Sequence, residues 1–352
     1  MKNQDPKLKQ LPKVAVLRLS AIGDVVLCAS MVLNLVKSRE FEVSWITTNQ
    51  TKELLGEIDG VEFIIVPKPK NVRTFLECRD ILKNREFDCL LLAQASFSAH
   101  FVSMNVRSKR KIGFDPSRSR DLHRFFINEC IGEKEEHFVD AYFNFAASIK
   151  LKKPDLVDWG GLFMNDDEGS LGNLNLPEGK HIMAVHPCSS KSERNWRIVS
   201  YAKVIDHAKA MGIEVILTGG GGSGEIAFNR QIMAMCKNTP INLVGQVTLS
   251  ELPYLMRKVD VLVAPDTGVV HIARAVGTPV VGLYAVANPV LTGPYKAVGY
   301  SINKYHDALD IYCAIDKTSF HQRVHNSKAM ELITVDEVTD KIDMIIKKLS
   351  LN

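Results

Sequence analysis

VDVLVAPDTGVVHIARAVGTPVVGLY, residues 259–284, decides how the chain is read. An apolar, strand-like run stops at Pro265. A turn carrying Asp266, Thr267 and Gly268 follows, then an alanine-rich helical stretch with His271, then a second apolar run. Two apolar runs joined by a helix form a parallel βαβ unit, and ligands of such units gather beyond the strand C-terminal ends. A helix starting near Thr267 exposes unpaired N–H groups and a positive dipole end. Thr267 adds a hydroxyl and Gly268 allows close backbone approach, a combination that suits phosphate. His271, four residues after Thr267 on the same helix face, can donate to the same anion. Asp266 repels phosphate and fits an N-cap or an acceptor for sugar hydroxyls. A plain Asp-capped helix with a packed histidine is the alternative.

The same alternation extends both ways. Strands are expected at 13–20, 42–48, 62–67 and 87–94, with helices over 24–38, 72–85 and 137–150. The pattern restarts with strands at 181–187 and 214–220 and helices over 196–212 and 225–236. Polar, glycine-rich NDDEGSLGNLNLPEGK (165–180) reads as a linker. The expected organisation is therefore α/β, with two Rossmann-like doubly wound domains in tandem: residues 1–170, 171–330, and a last amphipathic helix within 331–352. That helix, TVDEVTDKIDMIIKKL, has Thr334 as N-cap and is expected to pack back on the N-terminal domain.

Three further turns carry candidate chemistry. HPCSSKSERNW (186–196) places Ser189 and Ser190 hydroxyls, with Arg194 and Lys191 charge, at a strand end. Arg194 can make paired bonds to phosphate oxygens, although a polar surface loop would look similar. TGGGGSGEIAF (218–228) contains a formal G-x-G-x-x-G at Gly219, Gly221 and Gly224. It lacks the acid about 20 residues on that a dinucleotide site requires, so it reads as a glycine turn with Glu225 near a nucleotide ribose or base. LRLSAIGDVVL (17–27) sets Asp24 at the start of a helix. Such an acid is commonly a cap, but across a cleft from two anion-friendly turns it could take a proton from an acceptor hydroxyl.

The whole-chain properties set limits. Among 352 residues, 46% are hydrophobic and 24% charged, with a net charge of +4, as in a soluble globular protein. The apolar run 25–36 is shorter than the ~20 residues of a membrane span, and the polar first residues show no signal peptide. Seven scattered cysteines without CxxC fit reduced thiols in the cytoplasm. Segment 104–124, MNVRSKRKIGFDPSRSRDLHR, carries seven Lys/Arg against two Asp. Its Arg107, Lys109, Arg110, Lys111, Arg118, Arg120 and Arg124 are candidates for an anionic partner, or a solvated basic loop. No aromatic-interleaved platform accompanies them, which argues against nucleic acid.

Taken in order, LRLSAIGDVVL, FDCLLLAQASFSAH (87–100), KIGFD (111–115), the Ser-Ser–Arg–Trp segment, DTGVVHIARAVGTPVVGLY and NPVLTGPY (288–295) resemble glycosyltransferase family 9, the lipopolysaccharide heptosyltransferases. The match spans about residues 13–300. The resemblance implies a GT-B architecture, an ADP-heptose donor, no required metal or other cofactor, and an anionic inner-core acceptor of Kdo and heptose. It puts the catalytic base on Asp24 and donor phosphate and sugar contacts on Ser189, Ser190, Arg194, Asp266, Thr267, Gly268 and His271. The nucleoside contact falls on Glu225. Arg194 stands where the family usually has Lys, and the serines where it has Thr-Thr. The cysteines that the family often carries near its C-terminus are missing from 325–334, and 296–330 matches poorly. A cytoplasmic enzyme meeting a lipid-borne acceptor at the inner membrane face is the implied setting. The rivals are a GT-B transferase for another nucleotide sugar, a nucleotide-sugar epimerase, and a catalytically silent nucleotide-binding protein.

Overall fold

The computed structural model describes residues 10–157, 159–160, 162–163, 174, 176–313 and 320–351. The first half runs β1 (Lys13–Leu17), α1 (Ile22–Ser38), β2 (Glu42–Thr47), α2 (Asn49–Leu55), β3 (Val61–Ile65), α3 (Val72–Leu82) and β4 (Glu86–Leu92). It continues with α4 (Phe97–Met104), β5 (Arg107–Gly113), β6 (Glu129–Cys130) and α5 (Phe138–Ser148). The second half runs β7 (Ile182–Val185), α6 (Ile198–Ala210), β8 (Glu214–Leu217), α7 (Ser223–Met235), β9 (Ile241–Asn242), α8 (Leu252–Arg257) and β10 (Val261–Pro265). After these come α9 (Gly268–Val276), β11 (Val280–Tyr284), α10 (Pro289–Thr292), β12 (Ile302–Asn303), α11 (Tyr305–Tyr312) and α12 (Val335–Leu349).

Each half forms a six-stranded sheet, in the orders β3-β2-β1-β4-β5-β6 and β12-β11-β10-β7-β8-β9. The ladders given for them are parallel. Both are doubly wound, and the strand order reverses between β1 and β4 and between β7 and β10, where crevices open at the strand C-terminal ends. Central strands such as β10 and β11 are buried throughout, because helices cover both faces of parallel sheets.

The short apolar run noted in the sequence is the body of α1. Every residue from Val25 to Leu33 is buried, as a helix apolar on all sides requires. It lies against α5 of its own half and α9 of the other. No described helix is long and apolar enough to cross a membrane.

The two halves touch at the starts of α1 and α9. A Cβ placed on Gly23 would lie 2.7 Å from His271 Cδ2 and 3.1 Å from Gly268 Cα, and one on Gly268 would lie 3.0 Å from the Gly23 nitrogen. Both glycines are therefore needed for closeness of approach. A second set of bonds flanks the contact. His137 accepts the Val139 N–H at Nδ1 (3.1 Å), so its Nε2 proton is free to donate to the Gly293 carbonyl at 2.9 Å. Tyr295 donates to Asp140 (2.9 Å) and accepts from Lys153 (3.0 Å).

Three expectations change. The basic segment holds a strand, β5, and α2 and α4 were not foreseen. The last helix does carry a Thr334–Glu337 capping box, but it packs on α6 and β11 of the second half rather than on the N-terminal domain. Its Val338, Ile342 and Ile345 join Val204 and Ile205 in one apolar cluster, and His207 bonds Asp343 at 2.8 Å. The boundary at 170/171 and most of the linker 165–180 lie outside the described residues.

Two outcomes follow. Gly23→Ala must push the α9 start away, costing about 1–3 kcal/mol of stability as overpacking does. A thermal melt identical to wild type would show that the halves do not meet there in solution. Burial also holds His123, His186 and His271 down at about 4, whereas unfolded histidine titrates near ~6.5. Between those values the unfolded chain binds the extra protons. Stability is therefore fully present above about pH 6.5 and falls toward pH 4, by roughly 3 kcal/mol per histidine at most. Thermal midpoints that stay level across that window would contradict this burial.

Candidate active site

The crevices of the two sheets open into one cleft of about 800 Å³. On the first wall, Arg18 follows β1 and is buried. Its Nη1 donates to the Ala93 carbonyl at 2.6 Å and its Nη2 pairs with Asp24 Oδ2. Burial disfavours the guanidinium charge, but Asp24, with smaller help from Tyr142 and Cys28, turns the balance and raises Arg18 above its ordinary value. Gln94 braces the turn by accepting from the Leu19 (2.8 Å) and Ser20 (3.2 Å) amides. Asp24 sits in the first turn of α1, yet its carboxylate goes to Arg18, and no side chain caps that helix. With 37% of its side chain exposed, Asp24 lines the cleft.

The opposite wall comes from β7, β10 and the turns after them. Ser189 Oγ donates to the Asp266 carbonyl at 2.8 Å, and its amide donates to Asn195 at 2.8 Å. Arg194 Nη1 lies 2.9 Å from Asp266 Oδ2, with side chains only 11% and 10% exposed. Asp266 is therefore an arginine partner rather than a cap. Burial raises its carboxyl above the usual range despite Arg194 and Arg323, and the charge of Asp24 adds to the rise. Thr267 is the N-cap residue of α9 but makes no side-chain cap bond, which leaves its hydroxyl for a ligand. Ser190, Lys191, Gly268 and His271 line the same cleft. Burial keeps His271 neutral near pH 7, and its Nδ1 has no partner among the described residues. At the rim, Glu225 Oε2 accepts the Gly220 amide at 2.5 Å, which folds the glycine turn onto the start of α7.

Asp24, Ser189, Ser190, Arg194, Glu225, Asp266, Thr267, Gly268 and His271 are thus brought together. The basic segment is not. None of its seven candidates lines the cleft. Arg110 is held by Glu129 through two 2.7 Å bonds, and Lys111 donates to the Ser103 carbonyl at 2.7 Å. Arg118 is buried between Asp115 (2.5 Å) and Glu136 (3.5 Å). Arg107 and Lys109 begin β5, and Arg107 is about 20 Å of strand away from the cleft end. Arg124 is exposed on the 3₁₀ turn His123–Phe126. Arg120 alone comes near, its charge reaching Arg323. The count of basic residues ignored the acids folded onto them.

Among the residues the sequence reading passed over are Arg18, buried behind the first wall, and His186 and Arg323, which line the cleft. Arg18 carried a signal, since a charge inside an apolar strand run needs a buried partner. His186, whose Nδ1 bonds Thr218 at 3.0 Å, reads as part of a strand. Arg323 belongs to the poorly matching 296–330 region. The Val324 amide bonds the Val286 carbonyl (2.9 Å) and the Tyr305 hydroxyl bonds the Gln322 carbonyl (2.9 Å), and this brings Arg323 to the cleft. Burial lowers it below its ordinary value, Arg194 lowers it further, and among the described residues it forms no ion pair.

An exposed carboxylate thus faces two guanidiniums, free amides and a free hydroxyl. That arrangement suits proton removal on one wall and anion stabilisation on the other.

The family model described as glycosyltransferase family 9 (heptosyltransferase) matches residues 76–309. The lipopolysaccharide core heptosyltransferase OpsX of Haemophilus influenzae is 33% identical over 305 residues, covering 86% of this chain and 87% of its own. A glycosyl transferase family 9 structure from Veillonella parvula superposes with a TM-score of 0.76 at 16% identity, covering 96% of this chain and 97% of that one. The Escherichia coli heptosyltransferase WaaC with ADP gives 0.71 at 17% identity, covering 95% and 99%. These last two likenesses show the GT-B fold. The chain belongs to glycosyltransferase family 9, the heptosyltransferases.

Proposed function

We propose that the enzyme moves heptose from ADP-heptose to an inner-core Kdo or heptose hydroxyl, with inversion at the anomeric carbon and Asp24 as general base. One observation carries this reading: the Arg18-held Asp24 carboxylate shares a cleft with the Arg194–Asp266 turn and the start of α9. The E. coli relative crystallised with ADP supports the nucleotide, and the name of the H. influenzae relative supports the acceptor class.

The acceptor oxygen attacks the anomeric carbon from the first wall as the bond to the phosphate oxygen breaks on the second. The hydroxyl proton passes to Asp24 Oδ1, because Oδ2 is already bonded to Arg18. The bonding pair leaves with ADP, whose growing charge meets Arg194, Lys191, the Ser189–Ser190 turn and the α9 amides. Arg323 and Arg194 repel each other, and a diphosphate between them relieves that repulsion. Thr267 and His271 contact the donor sugar or phosphate, and Glu225 the nucleoside. Positive charge comes from side chains in this reading, so no metal takes part. Enclosure between the halves limits hydrolysis of the donor.

Transfer kinetics and ADP titration test the assignment together. Asp24→Asn should lower kcat by about 10²–10⁴-fold while ADP affinity stays within about twofold. Arg323→Ala should do the converse, weakening ADP about tenfold with a smaller effect on kcat. Wild-type turnover in Asp24→Asn would remove Asp24 from the chemistry.

A further inference from the structure

The outer surface of α3, α4 and the 3₁₀ turn His123–Phe126 is not finished as a soluble surface. The inner side of this layer is ordinary core: Cys78, Leu82, Ala99 and Val102 pack with Ala15, Leu17, Ile64 and Leu90 of the sheet, joined by Phe126. Its outer side exposes Leu76, Phe97, Phe101, Met104, Leu122 and Phe125, and among the described residues every exposed phenylalanine lies here. Phe125 is 80% exposed, while its neighbour Phe126 turns inward and stacks on His100 with centroids 4.5 Å apart. His100 in turn bonds His123 at 2.8 Å. Phe75 of α3 meets Phe101 of α4 edge to face at 6.3 Å. These contacts join the three elements, so their exposed side chains form one continuous face.

Cations border it. Lys111 reaches Ser103 of α4, so the alternate β5 residues Arg107 and Lys109 fall on the same sheet face as that helix. Neither these two nor Arg124 has an ion-pair partner among the described residues, whereas Glu77 and Asp80 of α3 are paired with Arg73 (3.0 Å) and Lys83 (3.3 Å). Two acids nearby, Asp121 and Glu86, have no ion-pair partner among the described residues, and Glu86 stands opposite Arg107 in the β4–β5 register.

We infer that this face docks on an anionic phospholipid surface, with Phe97, Phe101, Leu122 and Phe125 entering the headgroup boundary and Arg107, Lys109 and Arg124 meeting lipid phosphates. Aromatic side chains fringed by unpaired cations suit such an interface. The apolar centre alone would also suit a protein partner; the border of unpaired cations is what selects a phosphate-bearing surface. The argument uses the surface alone and does not depend on the chemistry of the cleft.

Sedimentation of the full chain with vesicles, without donor or acceptor, tests it. The protein should pellet with phosphatidylglycerol-containing vesicles, much less with phosphatidylcholine alone, and should be released by salt. Phe97→Ser/Phe101→Ser/Phe125→Ser should weaken vesicle binding about tenfold or more with an unchanged thermal midpoint and ADP affinity. Arg107→Glu/Lys109→Glu/Arg124→Glu should weaken binding to the anionic vesicles specifically. The inference is overturned if no vesicle is bound, if the serine variant binds like wild type, or if the face instead joins two copies of the chain. A chain that binds ADP but ignores vesicles would remove the docking face and leave the transfer reading standing. A chain that binds vesicles but not ADP would do the reverse.

Discussion

Two glycines from opposite halves touch, and the working cleft depends on that contact. Gly23 lies in the first turn of α1 and Gly268 begins α9; a methyl group on Gly23 would meet the His271 ring at 2.7 Å, and one on Gly268 would lie only 3.0 Å from the Gly23 nitrogen. Asp24 is the next residue after one glycine, and Thr267 and Asp266 immediately precede the other. The close approach therefore presses the acid-bearing start of α1 against the start of α9, where the proposed reaction places the donor phosphate. Larger residues would open a gap at the point where an acceptor oxygen and a departing phosphate must be only a few ångströms apart.

The two aspartates of the cleft show how surroundings divide one residue type into two roles. Asp24 is partly exposed and held by a single buried arginine. Asp266 is nearly enclosed, and burial raises its carboxyl while Arg194 pulls the other way. The first can exchange a proton with something arriving from solvent. The second anchors Arg194, whose Nη1 is also 3.3 Å from the Asp266 carbonyl, and so fixes a charge that the proposed reaction sets against the leaving group. Arg18 and Arg194 are thus counterparts, one holding the carboxylate proposed as base and the other held by an acid.

Much of this was legible in the sequence because strand-to-helix turns are local. LRLSAIGDVVL and DTGVVHIARAVG each announce a strand end, a glycine and a helix start within a dozen residues, and doubly wound topology gathers such ends. What could not be read was set by distant partners. Arg323 reaches the cleft through bonds to Val286 and Tyr305, and no neighbouring residue signals that path. The basic segment divides for the same reason: Glu129 and Glu136 lie outside it in sequence but pair with Arg110 and Arg118 in space, while Arg107, Lys109 and Arg124 keep no ion pair among the described residues. Strand β5 was hidden because five of its seven residues are RSKRK, a polar run that becomes a strand only between β4 and β6. The last helix was recognised, with its cap, but its amphipathic face did not say which half it would cover.

A structure of the enzyme with ADP bound tests the central claim most directly. The account predicts the diphosphate between Arg194 and Arg323, against the Thr267–Gly268 amides and on the Asp24 side of the cleft, with Gly23 and Gly268 still in contact. A diphosphate bound outside that cradle, or halves parted so that Asp24 no longer faces it, would contradict the account.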